Sequence, residues 1–413
     1  MSARDVIANL RALAARTSDV HGAQRVAWGP VWRDARLWLG ERLAAEGLRA
    51  EMDAAGNNWI TLPGARPETV IIGGHLDSVP SGGWLDGPLG VLAGVEALRR
   101  YKGTTPPVTL AVVDFADEEG ARFSRSLLGS SGASGSLVPG GVRGLVDRAG
   151  VRLADALAQN GVDVDRMPEA RRALDERHPR AYLELHIEQG PVLESLGRST
   201  GAVIGTYGVE RHVLRFVGQA AHSGSTPIAM RRDAFLAAAE TALACRDIAR
   251  RHSTPTVGMV CTVGTVMVEP GIVTAVPGVC EIALDQRALE PGILRQALAD
   301  AQEAAARAAT ANGVSVEWRH VWRIGPCRFD PRLVELCAEA VEEATGHAPR
   351  LPSGPLHDAV EMGRVMPSVM MFATSINGLS HCKEEDTAEA DLEVTIDAFL
   401  RLVDKAVAMV AAA

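Results

Sequence analysis

Four short apolar runs in this chain each lead into residues that bind metals or move protons, and that arrangement constrains the fold more than any other feature. The runs cover 70–72, 108–115, 182–185 and 369–373. Apolar, β-branched segments of this length predict buried strands, and a sheet presents functional groups just past its strand ends. His75 and Asp77 follow the first run in GGHLDSVPSGGWLDGPLG, with Asp86 one loop further on. The second run precedes DEEGARF at 117–123. The third, read as an alternating strand, delivers His186, Glu188 and Gln189 in YLELHIEQGPVLE, and the fourth leads into GLSHCKEEDT with His381 and Glu385.

Glycines at 82, 83, 87 and 90 are expected to take positive φ and fold the first loop back, bringing Asp86 beside His75. Adjacent acids in DEEG cannot both be buried cheaply unless positive charge sits beside them, and a metal ion meets that demand. One carboxylate can hold the cation while its neighbour takes a proton from water. Alone, H-x-D also fits a hydrogen-bonded strand end, and DEEG fits an exposed acidic turn. Together the four segments supply His, Asp, Glu, His and His, a set suited to borderline cations, and two ions sharing Asp86 would use all of it.

By these motifs the chain resembles the M20 metallopeptidase superfamily, and within it the hydantoinase/carbamoylase branch of amidases: N-carbamoyl-L-amino-acid hydrolases, β-ureidopropionases and allantoate amidohydrolases. HLDSVPSGGWLDGPLGV, DEEGARF and ELHIEQGPVLE carry the likeness, which runs through nearly the whole chain in the family's order. The resemblance implies an α/β fold, a mixed-sheet zinc-peptidase-like catalytic domain built from 1–207 and 324–413. An inserted α+β lid and dimerisation domain would occupy 208–323. His75 and His186 would hold one divalent ion and Glu119 and His381 a second, with Asp86 bridging. Zinc, manganese, cobalt or nickel would suit these ligands. Glu118 matches the general base, Asp77 the acid that orients His75, and Gln189 a substrate contact.

The segment 208–323 has a pattern of its own. It reads as a strand in HVLRFVG, a helix over 229–251, strands in TVGMVCTVGTVMV and VCEIALDQRAL, a helix over 291–312 and a strand in VSVEWRHV. That βαββαβ-like order predicts a self-contained antiparallel sheet with helices. The resemblance implies that His222, in GQAAHSGSTP, reaches an active site, that of the partner subunit in related dimers, and donates to the substrate carbonyl oxygen. It also implies that Arg287, positioned by Asp285, binds the substrate carboxylate, a role suited to a planar, permanently charged fork.

Three departures from the family pattern stand out. Thr274 occupies a position where the branch usually has asparagine. Pro355 and Leu356 replace small residues beside His357 and Asp358, and Lys383 stands where a proline often follows the metal-binding His. The first two fall where family members contact substrate.

With 413 residues, 47% of them hydrophobic, the chain can bury a large core and is long for one domain. A net charge of -9 and the lack of long basic runs argue against a nucleic-acid partner. No apolar run approaches a membrane span, and MSARDVIANLRALAAR reads as an amphipathic helix rather than a signal sequence. The six cysteines lack CxxC spacing and read as reduced thiols of a cytoplasmic protein, with Cys382, beside His381, the one candidate for a metal role.

The expected function is therefore hydrolysis of a linear amide C–N bond in a small N-carbamoyl-L-amino acid or a similar ureido or N-acyl amino acid, by a homodimer joined through the lid. Allantoate, ureidopropionate and N-acyl amino acids are the alternative substrates. A non-catalytic amino-acid-binding protein would need the base or a ligand lost, and Glu118 and Glu119 are both present.

Overall fold

The structure, a computed structural model, describes residues 3–253 and 258–413. The chain divides into two compact units, Met1–Ile204 with Phe329–Ala413, and Gly205–Arg328. The segment 208–323 read above as an insertion falls within the second. Among the described residues no helix is long and apolar enough to cross a membrane.

The first unit is built on a mixed sheet, as expected. Its centre is four parallel strands, in the order Ser368–Ala373, Pro179–Ile187, Thr69–His75 and Thr109–Phe115. Antiparallel strands continue it on both sides, Thr200–Thr206 beside Ser368–Ala373, and Asn58–Leu62 then Ala50–Met52 beside Thr109–Phe115. Parallel strands are covered on both faces, so the run 182–185 is buried at every residue and does not alternate between core and solvent. Because the four central strands run the same way, all of their carboxyl ends lie along one edge. Open α/β sheets bind their ligands outside that edge.

The helix Pro88–Arg100, which follows Asp86, packs on Thr69–His75 at very short range. A β-carbon on Gly90 would lie 2.6 Å from the Leu185 carbonyl oxygen and 2.8 Å from that of Gly73. Since both are backbone atoms of central strands, Gly90→Ala is expected to destabilise the fold by about 1–3 kcal/mol, read as a lower urea midpoint at unchanged slope; an unchanged midpoint would refute this packing.

The second unit is a four-stranded antiparallel sheet in the order Val260–Glu269, Val279–Ala288, Gly208–Val217, Ser315–Ile324. Helices Ala234–His252 and Pro291–Ala311 cover one face, where Leu214, Phe216, Ile282 and Leu284 meet Ala238, Cys245, Ala297 and Ala301. The first of these helices starts later than the 229 expected, because Asp233 caps it by accepting from the backbone N–H groups of Phe235 and Leu236. Residues 256 and 257 of the strand expected in TVGMVCTVGTVMV lie outside the described residues.

Candidate metal centre

The edge formed by the carboxyl ends of the parallel strands gathers the predicted ligands. His75 is the last residue of Thr69–His75, and His186 lies one residue from the end of Pro179–Ile187. Each ring presents Nδ1 to a main-chain carbonyl, His75 to that of Asp77 at 3.1 Å and His186 to that of Ile187 at 2.9 Å. A carbonyl can only accept, so those nitrogens carry protons, and it is the Nε2 of each ring that faces Asp86 and would be the atom offered to an ion. Asp86 Oδ1 lies 3.6 Å from His75 Nε2 and 3.1 Å from His186 Nε2.

The other oxygen of the same carboxylate faces a second group. Asp86 Oδ2 is 3.3 Å from His381 Nε2, which is itself 3.3 Å from Glu119 Oε2. The donor atoms of His75, Asp86 and His186 lie close enough together to hold one ion, and those of Asp86, Glu119 and His381 another. A third such group, Glu184, His186 and His357, shares His186. Cys382 belongs to none of them among the described residues. His75 Nε2 and Glu119 Oε1 are buried without a hydrogen-bond partner, and buried lone pairs of this kind are what a cation satisfies. The residues therefore fit divalent metal binding, with nitrogen and oxygen donors in both groups.

The glycines of the Asp86 loop act differently from the expectation. Among positions 82, 83, 87 and 90 only Gly87 has positive φ, at 84°. Gly83 and Gly90 are small because neighbours come close: a β-carbon on Gly83 would lie 2.0 Å from Glu385 Oε1. Positive φ appears instead at Asp117, Gln189 and His381, each near 58°. Such backbone is strained for residues other than glycine, and three of the nine such residues described in the chain lie at the site. Asp117 is held there by a 2.7 Å bond from the Trp28 indole N–H.

Asp77 also works differently from the expectation. Its main-chain carbonyl, not its carboxylate, bonds to the His75 ring, and the carboxylate oxygen is 3.6 Å from Nδ1. The carboxylate accepts instead from the backbone N–H groups of Glu118 and Glu119, at 3.2 Å each. Asp77 thus fixes the main chain of the two acids. Glu118 is buried and its Oε2 lies 3.9 Å from His75 Nε2, yet it belongs to neither donor group that shares Asp86. Burial, then the charges of Asp358 and Glu119, push its carboxyl well above the usual range, which makes it a better proton acceptor than an exposed glutamate.

Gln189 Nε2 lies 2.8 Å from Asp86 Oδ2 and 3.3 Å from His381 Nε2. The His357 ring lies against that of His186, tilted by 58° with centroids 4.3 Å apart, and its Nε2 is 3.0 Å from Ser353 Oγ. Ser353 in turn donates to the Pro355 carbonyl at 2.8 Å, so half-buried Pro355 and Leu356 precede a ring in contact with a candidate ligand. Lys383 is exposed, its Nζ 4.0 Å from Glu384.

The sequence marks Glu385 without a role and does not mark Arg25. Glu385 accepts from the backbone N–H groups of Leu85 and Asp86, and Arg25 is fully buried beneath the same loop, bonded to the Leu76 and Gly83 carbonyls. Glu385 was visible as an acid in the fourth segment, whereas no local signal marks Arg25.

In the second unit, Ala221–His222 pairs with Ala275–Val276, which sets Thr274 beside His222; the Thr274 carbonyl accepts from Ser223 N–H at 2.9 Å. His222 Nδ1 accepts from the backbone N–H groups of Gly224 and Ser225, at 3.1 and 3.2 Å. In the neutral ring the proton therefore sits on the exposed Nε2, ready to be donated. Arg287 is held by Asp285, Nε to Oδ1 at 2.7 Å, and Arg211 grips the same carboxylate at 2.7 Å. His222 and Arg287 stand apart. Ala221–His222 and Ala275–Val276 form a separate two-stranded ladder a few residues beyond the strand ends at Val217 and Val279, while Arg287 is eight residues, roughly 27 Å, along the strand from Val279.

The buried acids give the protein a pH dependence. Burial is the main cause that raises Asp77 to about 6 and Asp117, Glu184 and Glu385 each to about 7. Folded values above unfolded ones mean that the folded chain holds protons the unfolded chain releases, so stability falls as pH rises from about 4 through 7. His75, pushed down to about 4 by burial, and His357, pushed down by burial as well, act in the opposite sense but are outnumbered. Chelator-treated protein is expected to melt at a lower temperature at about pH 8 than at about pH 5. Added divalent ions should raise the melting temperature more at the higher pH, because cations replace the protons. A chelated protein more stable at pH 8 would contradict this.

Comparison with known proteins agrees with the geometry. Residues 71–405 match the model of peptidase family M20/M25/M40. The chain is 36% identical over 385 residues to an N-carbamoyl-L-amino acid amidohydrolase of Geobacillus stearothermophilus, covering 90% of each chain. It is 30% identical to an allantoate amidohydrolase of Bacillus subtilis, over 93% of this chain and 92% of that one. Among solved structures, a hydantoinase/carbamoylase family amidase from Burkholderia ambifaria superposes with a TM-score of 0.87 at 30% identity, over 98% of this chain and 97% of that one.

Proposed function

Because this chain belongs to peptidase family M20/M25/M40 and is an amidohydrolase of its hydantoinase/carbamoylase kind, we propose that it hydrolyses N-carbamoyl-L-amino acids with two divalent ions per subunit. The observation that carries this reading is the Asp86 carboxylate, whose two oxygens face two separate donor groups, His75 with His186 and Glu119 with His381. Divalent ions bound there supply Lewis acidity, which polarises a carbonyl and makes water a better acid. The remaining steps fall to the chain's own residues. Glu118 accepts the proton of the attacking water and returns it to the leaving nitrogen, while Asp77 keeps the Glu118 main chain in place. His222 donates its Nε2 proton to the carbonyl oxygen as negative charge develops there. Arg287, braced by Asp285, binds the substrate carboxylate; Gln189 and Thr274 supply further polar contacts, and Pro355 and Leu356 bear on the side group accepted. Hydrolysis of the ureido bond gives the amino acid, carbon dioxide and ammonia.

His222 and Arg287 are too far apart on one copy to touch one small substrate, which favours a homodimer in which a second copy supplies His222 and Thr274. Exposed Ile228, Met230, Ile272 and Val273 lie in the loops that carry those two residues, an apolar surface suited to burial against another copy. Sedimentation at micromolar concentration is expected to show a dimer, and a stable, fully active monomer would remove this part of the proposal.

Allantoate amidohydrolase activity is the second reading, favoured by the Bacillus subtilis relative. A panel of N-carbamoyl, N-formyl and N-acetyl amino acids and allantoate, assayed after reloading with zinc, manganese, cobalt or nickel, separates the two. Preference for N-carbamoyl substrates supports the first reading, and cleavage of allantoate alone overturns it.

A further inference from the structure

We propose that Glu385, acting with Ser380, is the positioning residue that holds Asp86 between its two donor groups, and that Arg25 braces the same loop. The inference rests on the reading of Asp86 as a shared ligand. To serve both groups, the carboxylate must keep Oδ1 on one side and Oδ2 on the other, so a small rotation of its main chain loses one of them. Asp86 stands in a loop with glycines at 82, 83 and 87, which by itself resists such rotation poorly.

Glu385 supplies the missing restraint from the far end of the chain. Its Oε1 accepts from the backbone N–H groups of Leu85 at 3.1 Å and Asp86 at 3.0 Å. Its Oε2 is 3.0 Å from Ser380 Oγ, which lies 3.1 Å from Asp86 Oδ2. One acid thus grips the ligand's main chain directly, and the Ser380 hydroxyl, with one proton to donate, stands between that acid and the ligand's side chain. Glu385 is buried, and the lack of a side chain at Gly83 makes room for it. Beneath the loop, Arg25 donates from Nε to the Leu76 carbonyl at 2.8 Å, and its Nη2 reaches the Gly83 carbonyl at 3.4 Å. Among the acids that face this buried guanidinium, Glu385 acts on it most strongly.

A clamp on the shared ligand predicts that both ions weaken together. Glu385→Ala, Glu385→Gln, Ser380→Ala and Gly83→Ala are compared with the parent protein and with Asp86→Asn. Mn2+ is titrated calorimetrically, bound metal is counted after dialysis, and melting temperatures are recorded alongside. Glu385→Ala is expected to weaken binding at both sites by roughly 10–100-fold. Glu385→Gln, which keeps an oxygen able to accept both N–H groups, should retain most of the affinity. Gly83→Ala should follow Glu385→Ala although the acid is intact, because its β-carbon displaces it. If Glu385→Ala does not fold, Gly83→Ala and Ser380→Ala carry the same comparison. Parental affinity in these variants, with affinity lost in Asp86→Asn, overturns the clamp and leaves the shared ligand standing. Parental affinity at both sites in Asp86→Asn overturns the shared ligand and the clamp with it.

Discussion

Glu118→Gln is expected to lower kcat by roughly 10²–10⁴-fold while both divalent ions stay bound. Glutamine keeps the shape of glutamate but can neither take a proton from water nor return one to the leaving nitrogen. The side chain lies outside the two donor groups that share Asp86, and its main chain is fixed by the Asp77 carboxylate, so the substitution leaves the ligands where they are. Glu119→Gln is the informative contrast. It is expected to lose metal as well as activity, because Glu119 belongs to the second donor group and has an unpartnered buried oxygen. Metal content and turnover measured on both variants separate the two roles. Turnover within a few-fold of the parent in metal-loaded Glu118→Gln would falsify the assignment of the base.

The two neighbouring acids also show which parts of the site can be read in a sequence. A candidate ligand at the end of a parallel strand leaves a local mark, an apolar run followed by His, Asp or Glu, and His75, His186 and Glu119 each carry it. The geometry between segments leaves none. Glu385 and Asp86 are bonded across most of the chain, and only folding brings them together. The glycines mislead for the same reason. Backbone freedom is a property of one residue and can be guessed locally, whereas the need for room at Gly83 and Gly90 comes from Glu385 and Leu185, which approach from elsewhere. The run 182–185 looks alternating because Glu184 interrupts it, yet Glu184 is wholly buried, accepting from the Tyr182 hydroxyl and the Ala359 backbone N–H. In the second unit, the strict alternation along Val279–Ala288 does mark a sheet with one covered face, and the Asp233 cap, a short-range device, could have been used to place the helix start.

On the proposed reading, selectivity depends most on Arg287. In Arg287→Ala, kcat/KM for N-carbamoyl amino acids is expected to fall by roughly 10–100-fold, the equivalent of one charge-assisted pair at about 1.5–3 kcal/mol. The loss should appear mainly in KM, since the carboxylate is held alike before and during reaction. Arg287→Lys keeps the charge but not the fork, and is expected to recover only part of the loss. Asp285 sharpens the test: it holds both Arg287 and Arg211, so Asp285→Asn should misplace the fork while leaving its charge. The decisive comparison pairs each acid substrate with its carboxamide. If Arg287 binds the carboxylate, the parent protein prefers the acid and Arg287→Ala treats the two nearly alike. A variant that keeps the parent's full preference for the acid would show that the carboxylate is recognised by another residue.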